Sequence, residues 1–132
     1  MKKFFTFMAL LFLPAQAAEA ECWAAGNFSG QSAQADRGYR FAPDTFGDGM
    51  LICFTDEGGM VTGNDLQLFR FGLSTLIGYG SNERGLEVVN VYQIDRERRK
   101  LLFTQSRIGT STITTLLPDY AAVFIADVVR AD

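Results

Sequence analysis

The stretch that decides the fold runs from Leu86 to Ile108 and reads LEVVNVYQI, DRERRK, LLFTQSRI. Two runs rich in β-branched and aromatic residues flank an unbroken charged hexapeptide, Asp95 to Lys100. That pattern predicts a β-hairpin with a solvated tip. If Arg96 to Arg99 form a four-residue loop, Asp95 faces Lys100, Ile94 faces Leu101 and Tyr92 faces Phe103. Opposite charges and apolar pairs then match across the strands. This register gathers Val88, Tyr92, Ile94, Leu101 and Phe103 on one face, the expected core, and a slip of one residue would scatter them.

Outward from the hairpin, segments of similar composition recur at Met50 to Thr55, Leu66 to Phe71, Ser74 to Tyr79 and Ser111 to Leu117. Turn signals separate them: Gly47-Asp48-Gly49, Asp56-Glu57-Gly58-Gly59, Gly63-Asn64-Asp65 and Gly80-Ser81-Asn82. Between Asp119 and Val129 the residues Tyr120, Ala122, Phe124, Ala126 and Val128 alternate as a strand would. Alanines following Pro118 also permit a helix there, and the alternation favours the strand. The sum is a mainly β, single domain, a small antiparallel barrel or sandwich of about 7–8 short strands with a C-terminal helix as the variant reading.

The N-terminus has a basic start at Lys2 and Lys3, an apolar run from Phe4 to Leu13 and a small-residue tail after Pro14. This order predicts a signal peptide over residues 1–17, with cleavage after Ala20 as the alternative, and an exported domain over residues 18–132. The apolar run is half the length of about 20 residues that a membrane span requires, so no stable span is expected once the signal is removed. Glu21 before Cys22 argues against a lipid-anchored cysteine. In the periplasmic or secreted setting that the signal implies, Cys22 and Cys53 are expected to pair. A bridge closing that loop stabilises by roughly 3 to 4 kcal/mol on the chain-entropy model.

Composition excludes more chemistry than it suggests. The chain has no histidine, which removes His-dependent nucleophile triads and the common zinc-enzyme sites. Two cysteines committed to a bridge leave no thiolate cluster, and no phosphate-binding glycine loop is present. Asp44-Thr45-Phe46-Gly47 approaches an aspartic-protease signature, but Phe46 interrupts it. Read as an EF-hand, the same stretch has Phe46 and Thr55 where ligands are needed. Asp44, Asp48, Asp56, Glu57 and Asp65 are therefore read as solvated turn residues rather than a calcium site. No metal, cofactor or catalytic residue is expected, and binding is favoured over catalysis.

The charge balance bears on partners. Removing Lys2 and Lys3 with the signal shifts the formal charge from −3 to −5, a surface that does not attract nucleic acid. Against that background the tip residues Arg96, Arg98, Arg99 and Lys100 are the candidate binding residues, since guanidinium forks grip carboxylates or phosphates on a protein or envelope component. Replacement of Arg96, Arg98 and Arg99 by serine is expected to leave stability nearly unchanged and to weaken partner binding. The general pattern resembles lipocalin-like barrels and bacterial lysozyme inhibitors at the level of fold alone. Two functions follow as expectations: an interaction domain that grips a macromolecule through exposed loops, or a lipocalin-like carrier with a small apolar ligand inside the barrel. A carboxylate-based hydrolase stands third.

Overall fold

A computed structural model describes residues 20–45, 47, 49–109 and 118–131. Nine strands carry the chain: β1 (Glu21–Gln34), β2 (Phe41–Asp44), β3 (Met50–Phe54), β4 (Gly59–Val61), β5 (Leu68–Phe71), β6 (Thr75–Ser81), β7 (Glu87–Asp95), β8 (Lys100–Ile108) and β9 (Tyr120–Arg130). A single 3-10 turn, Ala35–Arg37, is the one helical piece among the described residues. Eight strands form an antiparallel sheet in the order β4-β3-β1-β9-β8-β7-β6-β5, and β2 pairs with β1 beside this path. The sheet curls until β4 and β5 nearly meet, joined by the Gly58–Phe69 bridge and a 3.4 Å hydrogen bond from the Arg70 amide to the Glu57 carbonyl. The result is a nearly closed barrel.

The β7–β8 hairpin has the expected register, with Asp95 opposite Lys100, Ile94 opposite Leu101 and Tyr92 opposite Phe103. Residues 119–129 form a strand: β9 runs between β1 and β8, and ladders on both sides use its backbone donors and acceptors. Its alternation buries Ala122, Phe124, Ala126 and Val128 and exposes Val123, Ile125 and Val129. Of the other expected strands, those near Met50, Leu66 and Ser74 are present with shifted ends, as β3, β5 and β6. The segment Ser111 to Leu117 lies outside the described residues. Gly59, expected in a turn, opens β4 instead.

Strand β1 is the longest element, and it bends. Its first half pairs with β3 and its second half with β2, while β9 runs along the other edge. The bend is a bulge: the register against β9 shifts between Gly26 and Ser29, and Asn27 takes a left-handed conformation at φ 56°. Beyond the bulge, Gly30 lies opposite Phe124. A Cβ there would collide with the Val123 carbonyl oxygen and come within 2.8 Å of the Phe124 ring. Glycine is what lets the two strands cross that closely.

Alternation around the sheet sorts the inward side chains into layers along the barrel axis. One layer holds Ile94, Leu101 and Ala126; the next holds Tyr92, Phe103 and Phe124. Tyr92 stacks on Phe103 at 4.7 Å, and Phe103 on Phe124 at 5.8 Å. Ile52, Phe54 and Leu68 join the core from β3 and β5, and Leu76 stands beside Tyr92 on β6. The following layer changes character to Asn90, Gln105 and Ala122, and beyond it lie Val88, Arg107 and Tyr120. The expected core face is therefore present in Tyr92, Ile94, Leu101 and Phe103, with Val88 half-buried at its end.

Candidate binding site

The hairpin tip contains all four arginine and lysine candidates, but it does not present them as one patch. Arg96 turns over the end of the barrel. It pairs with Glu21 at 2.5 Å, donates to Ser74 Oγ at 2.7 Å and to the Leu73 carbonyl at 2.6 Å, and lies over the rings of Trp23 and Phe54. Lys100 pairs with Asp127 across to β9, and Arg98 pairs with Asp95 within the hairpin at 3.3 Å. Arg99 is exposed with φ 54°, and its carbonyl accepts from the Val128 amide. Two of the four are thus engaged with other strands, and serine at Arg96 would not be neutral for stability.

The same end carries three carboxyls held below their ordinary values. Burial pushes Glu21 upward, but hydrogen bonds from Trp23 and Arg96 and the charges of Arg96 and Arg130 outweigh it. For Asp95 the main cause is the Arg98 backbone amide, and for Asp127 the hydrogen bond from Lys100. Arg70 adds to the cover: it lies over Phe54 and donates to the carbonyls of Thr55, Gly72 and Leu73. Cys22 and Cys53, directly opposed on β1 and β3, form the expected disulfide beside this end. Because neighbours on a strand face opposite ways, Trp23 lies in the barrel interior, under the Arg96 and Arg130 guanidiniums, rather than over the bridge.

At the other end the interior is hollow. A cavity of about 250 Å3 sits on the layer where the core turns polar. Tyr92 and Phe103 make its floor, Met50, Leu66 and Val88 its apolar walls, and Thr62, Asn64, Asn90 and Gln105 its uncharged polar groups. Asp65, exposed at the rim, is the one charged residue among its described lining. Gly78 stands opposite Asn90 on β6, where Leu68 and Leu66 take up the space beside it, and Ala122 lies opposite Gln105 on β9.

Hydrogen bonding around the floor is nearly complete. Asn64 accepts from the Leu66 amide at 2.8 Å and donates from Nδ2 to the Tyr92 hydroxyl at 2.7 Å. Burial pushes the Tyr92 phenol above its ordinary value, opposed by hydrogen bonds from Asn64 and Asn90. What is left over is Asn90 Oδ1. Asn90 is 4% exposed, and its Oδ1 is the buried side-chain atom without a hydrogen-bond partner among the described residues. Leaving such a group unpaired costs about 1–3 kcal/mol, and native cores avoid it unless something else is present to pair with it.

Asn90, Gln105 and Asn64 were absent from the candidates read from sequence, although the signal was there. Asn90 interrupts the inward face Val88, Tyr92, Ile94, and Gln105 continues the face begun by Leu101 and Phe103. A polar residue at a core-facing strand position is the mark of a satisfied network or a ligand. Among the described residues no three His, Cys, Asp or Glu side chains come together as a metal site; Asp48 lies outside those residues. A second hollow of about 260 Å3 adjoins Asn64 and Leu66 beside the β3–β4 hairpin, near Leu51, Cys53 and Met60, and no orphaned polar atom marks it.

No family model, curated protein or solved structure matches the chain. Among the described residues no helix is long and apolar enough to cross a membrane. The disulfide is compatible with an extracellular or periplasmic protein.

Proposed function

We propose that this protein is an exported, non-enzymatic barrel that binds a small, largely apolar molecule in the cavity between Asn90, Gln105 and the Tyr92–Phe103 stack. The observation that carries the reading is the hollow itself, in which the Tyr92 and Phe103 rings and the side chains of Met50, Leu66 and Val88 stand beside the polar groups of Thr62, Asn64, Asn90 and Gln105. Apolar walls with a few placed polar groups are the usual make-up of a small-molecule site. Size narrows the occupant, because an apolar cavity of about 150 Å3 accommodates benzene. A hollow of about 250 Å3 admits one ring with a small substituent, or a chain of similar bulk.

Capture of a macromolecule by the arginine tip ranks second. That reading rests on Arg98 and Arg99, since Arg96 and Lys100 are engaged with other strands. The binding reading is tested by titrating the disulfide-bonded protein, residues 18–132, with toluene and with benzyl alcohol and following the amide spectrum by NMR. Shifts concentrated at Asn64, Asn90, Tyr92 and Gln105 are expected. Absence of saturable shifts with both compounds up to their solubility would refute the cavity as a binding site.

A further inference from the structure

We propose that the outer face of β8 and β9 is the contact surface of a two-fold dimer of this chain, separate from the cavity inside the barrel. An antiparallel sheet with one buried face normally turns polar and charged residues outward. Here the outward positions of the two central strands are Leu102, Thr104 and Ser106 on β8 and Ala121, Val123 and Ile125 on β9, paired row by row. None of the six is charged. Val89 and Val91 continue the face on β7, and Phe41 stands at its far side on β2. Val123 is 47% exposed and Phe41 64%. Between those two, with Gly30, Gln31 and Ile125, lies an outer hollow of about 320 Å3. A contiguous exposed patch of this make-up marks an interaction surface.

The charges at its border choose the occupant. On the tip side the face ends on Lys100 and Asp127, directly opposed across β8 and β9, and on β7 it is bounded by Asp95 and Glu87. A lipid surface calls for cations around an apolar patch, and here carboxylates stand at both borders. The open edge of β2 is a poor place to add a strand, because Pro43 has no amide proton to give. A second copy fits. With the two-fold axis parallel to the strands and between β8 and β9, β8 of one copy lies over β9 of the other. Leu102 then meets Ile125 of the second copy, Thr104 meets Val123 and Lys100 meets Asp127, each contact being made twice. Turning one copy end for end would instead set Lys100 over Ile108 and Asp95 over Glu87. Further out, where two convex surfaces part, β6 lies opposite the second copy's β2, and the long exposed side chains of Tyr79 and Phe41 bridge the gap. From β6 to β2 the face is six strands wide. At about 4.8 Å per strand and about 3.3 Å per residue it measures on the order of 25 by 20 Å. Side-chain relief raises its accessible area above that flat projection, towards the about 800 Å2 that each partner covers in a stable dimer.

Sedimentation velocity across a dilution series of the disulfide-bonded protein tests the dimer. The native protein is expected to dimerise reversibly. Val123→Glu, at an exposed position, should keep the native circular dichroism spectrum and weaken association about a hundredfold or more, because it brings two unpaired charges to the centre of the contact. Lys100→Asp and Asp127→Lys should each self-associate about tenfold more weakly than the native protein, since each sets like charges across the axis. An equimolar mixture of those two variants should recover the dimer, because opposite charges then meet. A native protein that stays monomeric at every concentration would overturn the proposal, and one that does so while co-sedimenting with phosphatidylcholine vesicles would make the face a lipid contact instead. A dimer that withstands Val123→Glu would put the interface elsewhere and overturn it equally. A mixture that associates no better than either variant alone would overturn the two-fold register.

Discussion

The two ends of the barrel are built from opposite solutions to the same problem, which is how to finish a stack of inward-facing side chains. At the tip end, Trp23 and Phe54 are covered by Arg96, Arg70 and Arg130, and Glu21 there is paired with Arg96 and accepts from Trp23 Nε1. At the other end, Asn90, Gln105 and Asn64 face a hollow, and one amide atom is left unpaired. The covered end is arranged for stability, with aromatic faces under guanidiniums and a disulfide alongside. The hollow end gives up packing, which native structures do at binding sites.

Removing the bridge is expected to have the largest effect on this contrast. Cys22→Ala with Cys53→Ala releases a loop of 31 residues' separation, and the loss is expected at about 3–4 kcal/mol in denaturant melts. Amide hydrogen exchange should show that loss first as faster opening of β1 and β3 beside Trp23. Opening first at Asn90 and Gln105 would mean that the bridge supports the hollow end instead.

Arg96→Ala follows at about 2 kcal/mol, because it strands Glu21 and removes hydrogen bonds to Ser74 and Leu73 at a partly covered site. Arg99→Ala, three positions further along the same charged run, should stay within about 0.5 kcal/mol. Equal effects from the two substitutions would show that Arg96 is an ordinary surface residue.

Smaller in size, and different at each end, is the response to pH. Folding lowers the Glu21, Asp95 and Asp127 carboxyls, so the unfolded chain takes up their protons more readily. Their stabilisation is complete above the ordinary values of 4.5 and 3.8 and is lost as pH falls through the lowered ones. Folding raises the Tyr92 and Tyr120 phenols, chiefly through burial. Stability from that source is present below their ordinary value of 10.0 and is lost as pH rises through the raised ones. Residue-resolved hydrogen exchange should therefore show acid loosening the Glu21 end and alkali loosening the Tyr92 end. Glu21→Gln should flatten part of the acid limb. Acid and alkali loosening the same end would break the distinction.

How much of this was legible in the sequence depended on local pattern. The hairpin was readable to the residue, because charge pairing at Asp95 and Lys100 and apolar pairing at Ile94 and Leu101 fix one register. β9 was readable through its alternation. β1 was not: Cys22-Trp23-Ala24-Ala25-Gly26-Asn27-Phe28-Ser29-Gly30 has few β-branched residues, and it is a strand because β9 on one side and β2 and β3 on the other take up its backbone. Tertiary pairing overrode weak propensity there. The split within the arginine tip was equally hidden, since Arg96 reaches Glu21, a residue 75 positions earlier in the chain. The hollow was half legible: Asn90 stood out on its face, but Met50, Asn64 and Leu66, which line the same space, come from distant parts of the chain that only the fold brings together.

The most direct measurement is the melting temperature of Asn90→Leu against the native protein, each with and without saturating toluene. If Asn90 is retained for a ligand at a cost to the fold, the empty variant should melt higher by a few degrees, as removal of an orphaned amide worth about 1 kcal/mol implies. Toluene should then raise both transitions. An empty variant that melts lower, with toluene shifting neither protein, would contradict the account.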